Sequence, residues 1–319
     1  MLKRMQMFVK GLIYQTNKHR LKCELIFVEW NPPIDKANLR TVLPSSSEQD
    51  YLSIRYILVP NQMHSRIAFS DRIPLFQMIA KNVGIRRAKA DFVCCTNIDL
   101  LFSDSLFEEL KRHRLEEGLF YRANRCDVPK TIYDVQNVED QLSFCKKNIL
   151  KRSGKHFQYT NFSDTTGLFF KYKAFQWLLP ALSKLKSLYA TSTEDKFDAL
   201  DFDACGDFTL MSKKDWIRIG GYPELEIYSI HIDSMGVISA AALGMKQVVF
   251  NPEACAYHVE HDGGWEFKSP LERINFYTRF PMLEWWAVRE AGLHLLEKGS
   301  DWNINNSDWG YANIKLEEV

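Results

Sequence analysis

Apolar residues recur at Leu2, Met5, Phe8, Val9, Leu12 and Ile13, a helical spacing, so the chain is expected to open on an amphipathic helix. CELIFVEW (Cys23 to Trp30) is a short apolar run stopped by Asn-Pro-Pro, which predicts a strand and a turn. A polar PSSSEQD loop separates it from IRYILVP, a second strand. PLFQMIAKNVGIRRAKA predicts a helix beginning beside Pro74, and DFVCCTNID a third strand. Ser103 or Asp104 then stands ready to cap a helix over SDSLFEELKRH, whose first turn is acidic. The order helix, strand, strand, helix, strand, helix predicts an α/β domain with a mainly parallel sheet.

From Glu116 to Leu200 the periodicity is weaker. VEDQLSFCKKNILKR and FQWLLPALSKLKSLYA have helical patterns, and TGLFFKY reads as extended. GDFTLMS predicts a strand running into KKDWIRIGGYPE, and HIDSMGVISAAALGM a helix rich in small residues. KQVVFNP and ACAYHVEH are strand-like. After Gly263 and Gly264 the pattern turns helical again and ends in a polar, Asn- and Trp-bearing tail. The expected organisation is a catalytic-type domain over 1–262 and a C-terminal helical extension with its tail over 263–319.

Composition narrows the classes. The 319 residues suffice for a substantial core, and 46% hydrophobic with 25% charged residues is the balance of a globular protein. Forty-one basic and forty acidic residues nearly cancel, so no global field points to nucleic acid as a partner. Seven scattered cysteines without a CxxC pair argue against a disulfide framework and for a reducing compartment. No run approaches the ~18 apolar residues of a membrane span, and Lys10 interrupts any leader-like core, so the cytoplasm is the expected location.

Several polar residues could carry chemistry. Asn97 and Asp99 share one face of the third strand at its carboxyl end, where open α/β sheets collect ligands. A carboxylate there can hold a divalent ion against a diphosphate, and capping of the following turn is the competing role. His258 and His261 are three apart around Glu260; imidazole tilts the choice from Mg2+ towards Mn2+ or another transition ion. Asp233, just ahead of a predicted helix, is an N-cap or, if it faces a cleft, a general base. There is no GxxxxGK[ST] loop and no GxSxG elbow.

Taken in order, these stretches resemble glycosyltransferases of the GT-A type, family 2-like, and ELIFVEWNPP with NNSDWGYAN is similar to a bacterial and viral-type subgroup of them. The resemblance implies a GT-A-like, Rossmann-like sheet flanked by helices. It assigns Glu29, on the second family strand, to the nucleoside. KNVGIRRAKADFVCCTNID resembles the N-x-G to D-x-D block, with Asn82 and Gly84 on the donor side and Asn97 and Asp99 at the diphosphate. Because Asn97 replaces one carboxylate, the site should hold metal less tightly. GDFTLMSKKDWIRIGGYPE resembles the acceptor-side stretch, so Asp207 and Glu224 are expected there, with Trp216 and Tyr222 stacking on sugar rings or packing the core. Asp233 falls at the family's base position, and YHVEH looks like the histidines that complete a metal site. In the family a further strand precedes the first helix, and its loop cradles the nucleotide. This chain opens on the helix, so either numbering starts at an internal Met or the sheet is completed differently, with weaker donor binding and an unpaired edge open to a partner chain.

The implied activity is transfer of a sugar from a nucleotide-diphosphate donor to a glycan hydroxyl. Asp99, His258 and His261 would hold Mn2+ or Mg2+, and Asp233 would take the acceptor proton with inversion. The alternatives are a non-catalytic glycan- or partner-binding homologue, a nucleotidyltransferase on a related fold, and a membrane-surface protein using Phe280, Trp285 and Trp286. A homo-oligomer is left open.

Overall fold

A computed structural model describes residues 1–112, 115–154, 157–160, 192–261, 269–299 and 305–318. The extended reading of TGLFFKY, the helical reading of FQWLLPALSKLKSLYA and the Gly263–Gly264 turn lie outside these residues.

The expected first helix is α1 (Leu2–His19), with Met5, Phe8 and Val9 buried and Arg20 closing it in the left-handed region at φ 51°. β1 (Cys23–Trp30) pairs in parallel with β2 (Leu52–Val59), from Cys23 opposite Leu52 to Trp30 opposite Val59. The four-residue turns α2 (Leu39–Val42) and α3 (Asn61–His64) flank β2. α4 (Gln77–Arg87) crosses to β3 (Phe92–Thr96). The third strand therefore stops before Asn97. The chain bends through Asn97–Asp99 and restarts as β4 (Leu100–Phe102), which belongs to another sheet. Ser103, not Asp104, caps α5 (Asp104–Arg112), accepting the Leu106 amide at 3.2 Å.

β5 (Leu119–Arg122) and β6 (Asn124–Val128) had no clear sequence pattern. Their buried positions include Arg122 and Asn124, so polar residues break the apolar alternation that marks a strand. α6 (Val138–Lys147) leads to β7 (Lys151–Gly154) and β8 (Phe157–Thr160). α7 (Thr193–Ala199) begins with a Ser192–Asp195 capping box. β9 (Phe208–Ser212), buried at every position, runs into α8 (Lys213–Ile219). α9 (Ile232–Ala242), β10 (Lys246–Val249) and β11 (Cys255–Val259) follow.

These strands form three mixed sheets: β1-β2-β12, β10-β5-β9-β3 and β4-β11-β6-β7-β8, where β12 is Glu317–Glu318. The expectation of a mainly parallel sheet is therefore corrected. β9 enters antiparallel between β3 and β5, and β7 and β8 add antiparallel ladders to the third sheet. The class is mixed α/β with flanking helices.

The helical C-terminal region is borne out by α10 (Pro270–Arg279) and α11 (Trp285–Lys298). α11 buries Val288 and Leu295 against α7 and α9. Beyond it the tail folds back onto α4: Arg86 and Arg87 donate to the carbonyls of Ser307, Trp309, Gly310, Tyr311 and Ile314. Among the described residues, no helix is long and apolar enough to cross a membrane.

Candidate metal centre

Asp99 sits on the bend between β3 and β4, so the second and third sheets meet at its backbone. β4 pairs antiparallel with β11, which places His258 opposite Leu100, one residue from Asp99. His261 follows just past the end of β11. The three side chains converge: Asp99 Oδ2 lies 3.6 Å from His258 Nε2 and 3.2 Å from His261 Nε2. One ligand atom from each residue falls within 4.8 Å of the others. Ligand bonds near ~2.1 Å allow one ion to touch donors at such separations.

The donor set is also oriented. β11 and β6 run in parallel with His258 opposite Asp127, and the Asp127 carboxylate lies 2.9 Å from His258 Nδ1. That contact favours a proton on Nδ1, although Arg125 Nη2 also lies 2.8 Å from it; once Nε2 gives up its own proton, its lone pair faces Asp99, as in carboxylate–histidine–metal sites. Arg125, two residues from Asp127 on the same face of β6, pairs with Asp127 at 2.7 Å and Asp207 at 3.4 Å. Arg4, from α1, reaches Asp99 Oδ2 at 3.3 Å.

Charge explains the ionisation states. Burial alone would raise the Asp99 carboxyl, but His258, then His261 and Arg4, outweigh it and hold Asp99 at about 2. Burial would lower His258; its hydrogen bonds to the Asp127 and Asp99 carboxylates reverse that and raise it to about 9. Burial pushes Asp207 up against the pull of Arg125 and His258. The corner is a knot of ion pairs among Asp99, His258, His261, Asp127 and Arg4.

The same corner opens onto a cavity of about 2240 Å3 that also includes Asn97, Asp207 and Asp233. Asn97 is not a free donor ligand. Its amide accepts from Gln77 Nε2 and donates to Asp207 Oδ1, each at 2.6 Å, so both ends of the group bridge neighbours. Lys81 Nζ donates to Gly206 O at 2.7 Å on the same wall. Asp233, in the first turn of α9, faces Gly206: a Cβ there would lie 2.7 Å from Asp233 Oδ2.

Other expected site residues lie elsewhere. Asn82 is fully buried; it donates to Tyr222 O and Glu224 Oε1 and accepts the Tyr222 amide. Glu224 in turn accepts the Gly310 amide at 2.7 Å, and Asn305 donates to the carbonyls of Gly220 and Tyr222. Asn82 and Glu224 are thus a staple between α4, the loop after α8 and the tail, not cleft ligands. Trp216 and Tyr222 have no exposed surface and pack on each other in the core, which corrects their reading as sugar platforms. Gly84 does border the cavity, and it faces β1 with room for a Cβ 3.6 Å from Val28. Glu29 accepts the Leu39 amide at 3.0 Å and closes the loop after β1. The exposed aromatic at the cavity is Trp285, 40% exposed and 5.2 Å from His231 between ring centres.

Sequence reasoning missed Arg4, Arg125 and Asp127. The alternation in NRCDV carried the signal: Arg125 and Asp127 share a face, but nothing in the sequence marked the segment as a strand. No protein-family model matches the chain, and no curated protein matches it. The geometry therefore carries the functional reading.

Proposed function

We propose that the protein is a metal-dependent glycosyltransferase of the GT-A type, moving a sugar from a nucleotide-diphosphate donor to a carbohydrate hydroxyl. One observation carries the reading. Residues far apart in sequence, Asp99, His258 and His261, meet at the carboxyl end of β3, on the rim of a cavity that also holds Asp233. Two imidazoles and a carboxylate suit Mn2+ better than Mg2+. An ion held there supplies positive charge against a diphosphate leaving group.

The remaining roles belong to side chains of this chain. Asp233 accepts the acceptor hydroxyl's proton as its oxygen bonds to the anomeric carbon. The bond from that carbon to the diphosphate oxygen breaks, and the diphosphate leaves with the electron pair. Arg4 and Arg125 add positive charge beside the leaving group. Asp207 and Asn97 hold the cavity wall, and Trp285 offers an aromatic face to a sugar ring.

Calorimetry with UDP-, GDP- and dTDP-sugars, with and without Mn2+, tests this. The reading expects one donor class to bind only with the ion and Asp99→Ala to abolish it. Asp233→Asn should keep donor binding and lose transfer. If no donor binds the wild-type protein and Asp99→Ala changes nothing, a non-catalytic binding role replaces the enzyme.

A further inference from the structure

Two arginines stand at the metal corner, and they are held very differently. Arg125 is saturated: its guanidinium pairs with the Asp127 and Asp207 carboxylates and lies 2.8 Å from His258 Nδ1. Arg4 makes one bond. Among the described residues its side chain donates only to Asp99 Oδ2, through Nη1 at 3.3 Å, a long single-point contact. A guanidinium carries five N–H donors in a rigid fork, so most of Arg4's capacity is unspent. Bulk water takes little of it, because the side chain is only 15% exposed. What remains faces the cavity, whose lining includes both Arg4 and Asp99. The helix behind Arg4 is fixed by Met5, Phe8 and Val9 in the core, so a change of partner belongs to the side chain and not to α1.

The oxygen that Arg4 holds is also the one on which the metal donors converge. Asp99 Oδ2 lies 3.6 Å from His258 Nε2 and 3.2 Å from His261 Nε2. An ion bonded to Oδ2 would press a second positive charge towards Arg4 and take the carboxylate that balances it. Arg125 has already claimed the carboxylates of Asp127 and Asp207. A guanidinium so little exposed is costly to leave without a counter-charge. A diphosphate resolves the conflict, since its oxygens fit the guanidinium fork two at a time and supply negative charge to both cations.

We propose that Arg4 changes partner, from Asp99 to the oxygens of a diphosphate, and so makes metal and diphosphate bind as a set. The exchange rests on the metal-dependent reading proposed above and adds a regulation to it. Alone, the ion competes with Arg4 for Asp99. Together, the ion frees the guanidinium for the diphosphate, and the diphosphate frees the carboxylate for the ion. By linkage, each ligand then raises the affinity of the other. A nucleotide-diphosphate donor would load the metal as it arrives, and departure of the nucleoside diphosphate would return Arg4 to Asp99 and loosen the ion.

Two separate titrations of the wild type, Arg4→Met and Arg4→Lys test this, one with Mn2+ alone and one with inorganic pyrophosphate alone in the presence of a chelator. Both are run at one fixed pH, with circular dichroism to check the fold and Arg4→Gln in place of Arg4→Met if that fold is lost. Arg4→Met keeps a long flexible stem and removes the charge. It should bind Mn2+ about tenfold more tightly than the wild type and pyrophosphate about tenfold more weakly, the ordinary scale of coupling between sites. Arg4→Lys keeps the charge and loses the fork, so it should match the wild type for Mn2+ and fall between the two for pyrophosphate. A merely structural Arg4 would not give opposite signs, because its loss would weaken both ligands. Mn2+ affinity that is equal or weaker in Arg4→Met would overturn the exchange and leave the metal-dependent reading standing. Pyrophosphate binding that is absent from the wild type, or unaffected by the substitution, would do the same. If neither the wild type nor Arg4→Met binds Mn2+, the metal-dependent reading falls and the exchange with it.

Discussion

Two polar knots in this molecule look alike in sequence and differ in construction. Asp99, His258, His261 and Asp127 meet at the rim of the cavity with like and unlike charges pressed together. Asn82, Tyr222, Glu224 and Asn305 meet behind α4, where the Asn82 amide spends its donors and its acceptor on fixed partners. The first is held in tension by ionisation and stands open to a ligand. The second is closed and neutral at its centre. Both contain residues that the GT-A resemblance assigns to the donor, and only the first borders the cavity. A motif residue earns a chemical role from what its polar atoms have left to give.

The comparison can be broken by substitution. The largest effect is expected from Asp99→Ala, which should abolish Mn2+ binding while leaving a folded protein by circular dichroism. Asn82→Ala should do the reverse. It leaves the Tyr222 amide and the Glu224 carboxylate short of partners, costing about 2–4 kcal/mol in denaturant unfolding, with unchanged Mn2+ affinity. Loss of ion binding in Asn82→Ala at full occupancy of the folded state would erase the distinction.

Asp127→Asn sharpens the open knot. Losing the carboxylate that orients His258 should weaken Mn2+ binding by about 10- to 100-fold without removing it. Titration at several pH values gives an effect of similar size, up to about tenfold per pH unit below the His258 value of about 9. His258 must release its proton to ligate, so affinity should climb as pH rises towards about 9 and level off above it. Smallest of all, Glu29→Gln keeps an acceptor for the Leu39 amide and should change stability by less than about 0.5 kcal/mol, with ion affinity unmoved.

Much of the scaffold was legible because its elements are amphipathic or uniformly apolar. α1, β1, β2, β9 and the C-terminal helices follow their patterns closely. The convergence of Asp99, His258 and His261 was foreshadowed as well, since a carboxylate at a strand end and two spaced histidines are visible in one dimension. β6 was hidden by Asn124, a polar residue in a buried position, and with it went Asp127 and Arg125. The bend at Asn97–Asp99 was also hidden, because CCTNIDLLF is apolar on both sides of a turn that only the third sheet explains. The misassigned residues share one cause. Trp216, Tyr222, Asn82 and Glu224 have side chains suited to ligands, and a tail more than 80 positions away in the sequence claims or covers them.

The most direct measurement is a calorimetric titration of Mn2+ into the wild-type chain and the Asp99→Ala, His258→Ala and His261→Ala variants. The account predicts one ion per wild-type chain and a large loss of affinity in each variant at unchanged fold. No binding to the wild type, or binding indifferent to all three substitutions, would contradict it.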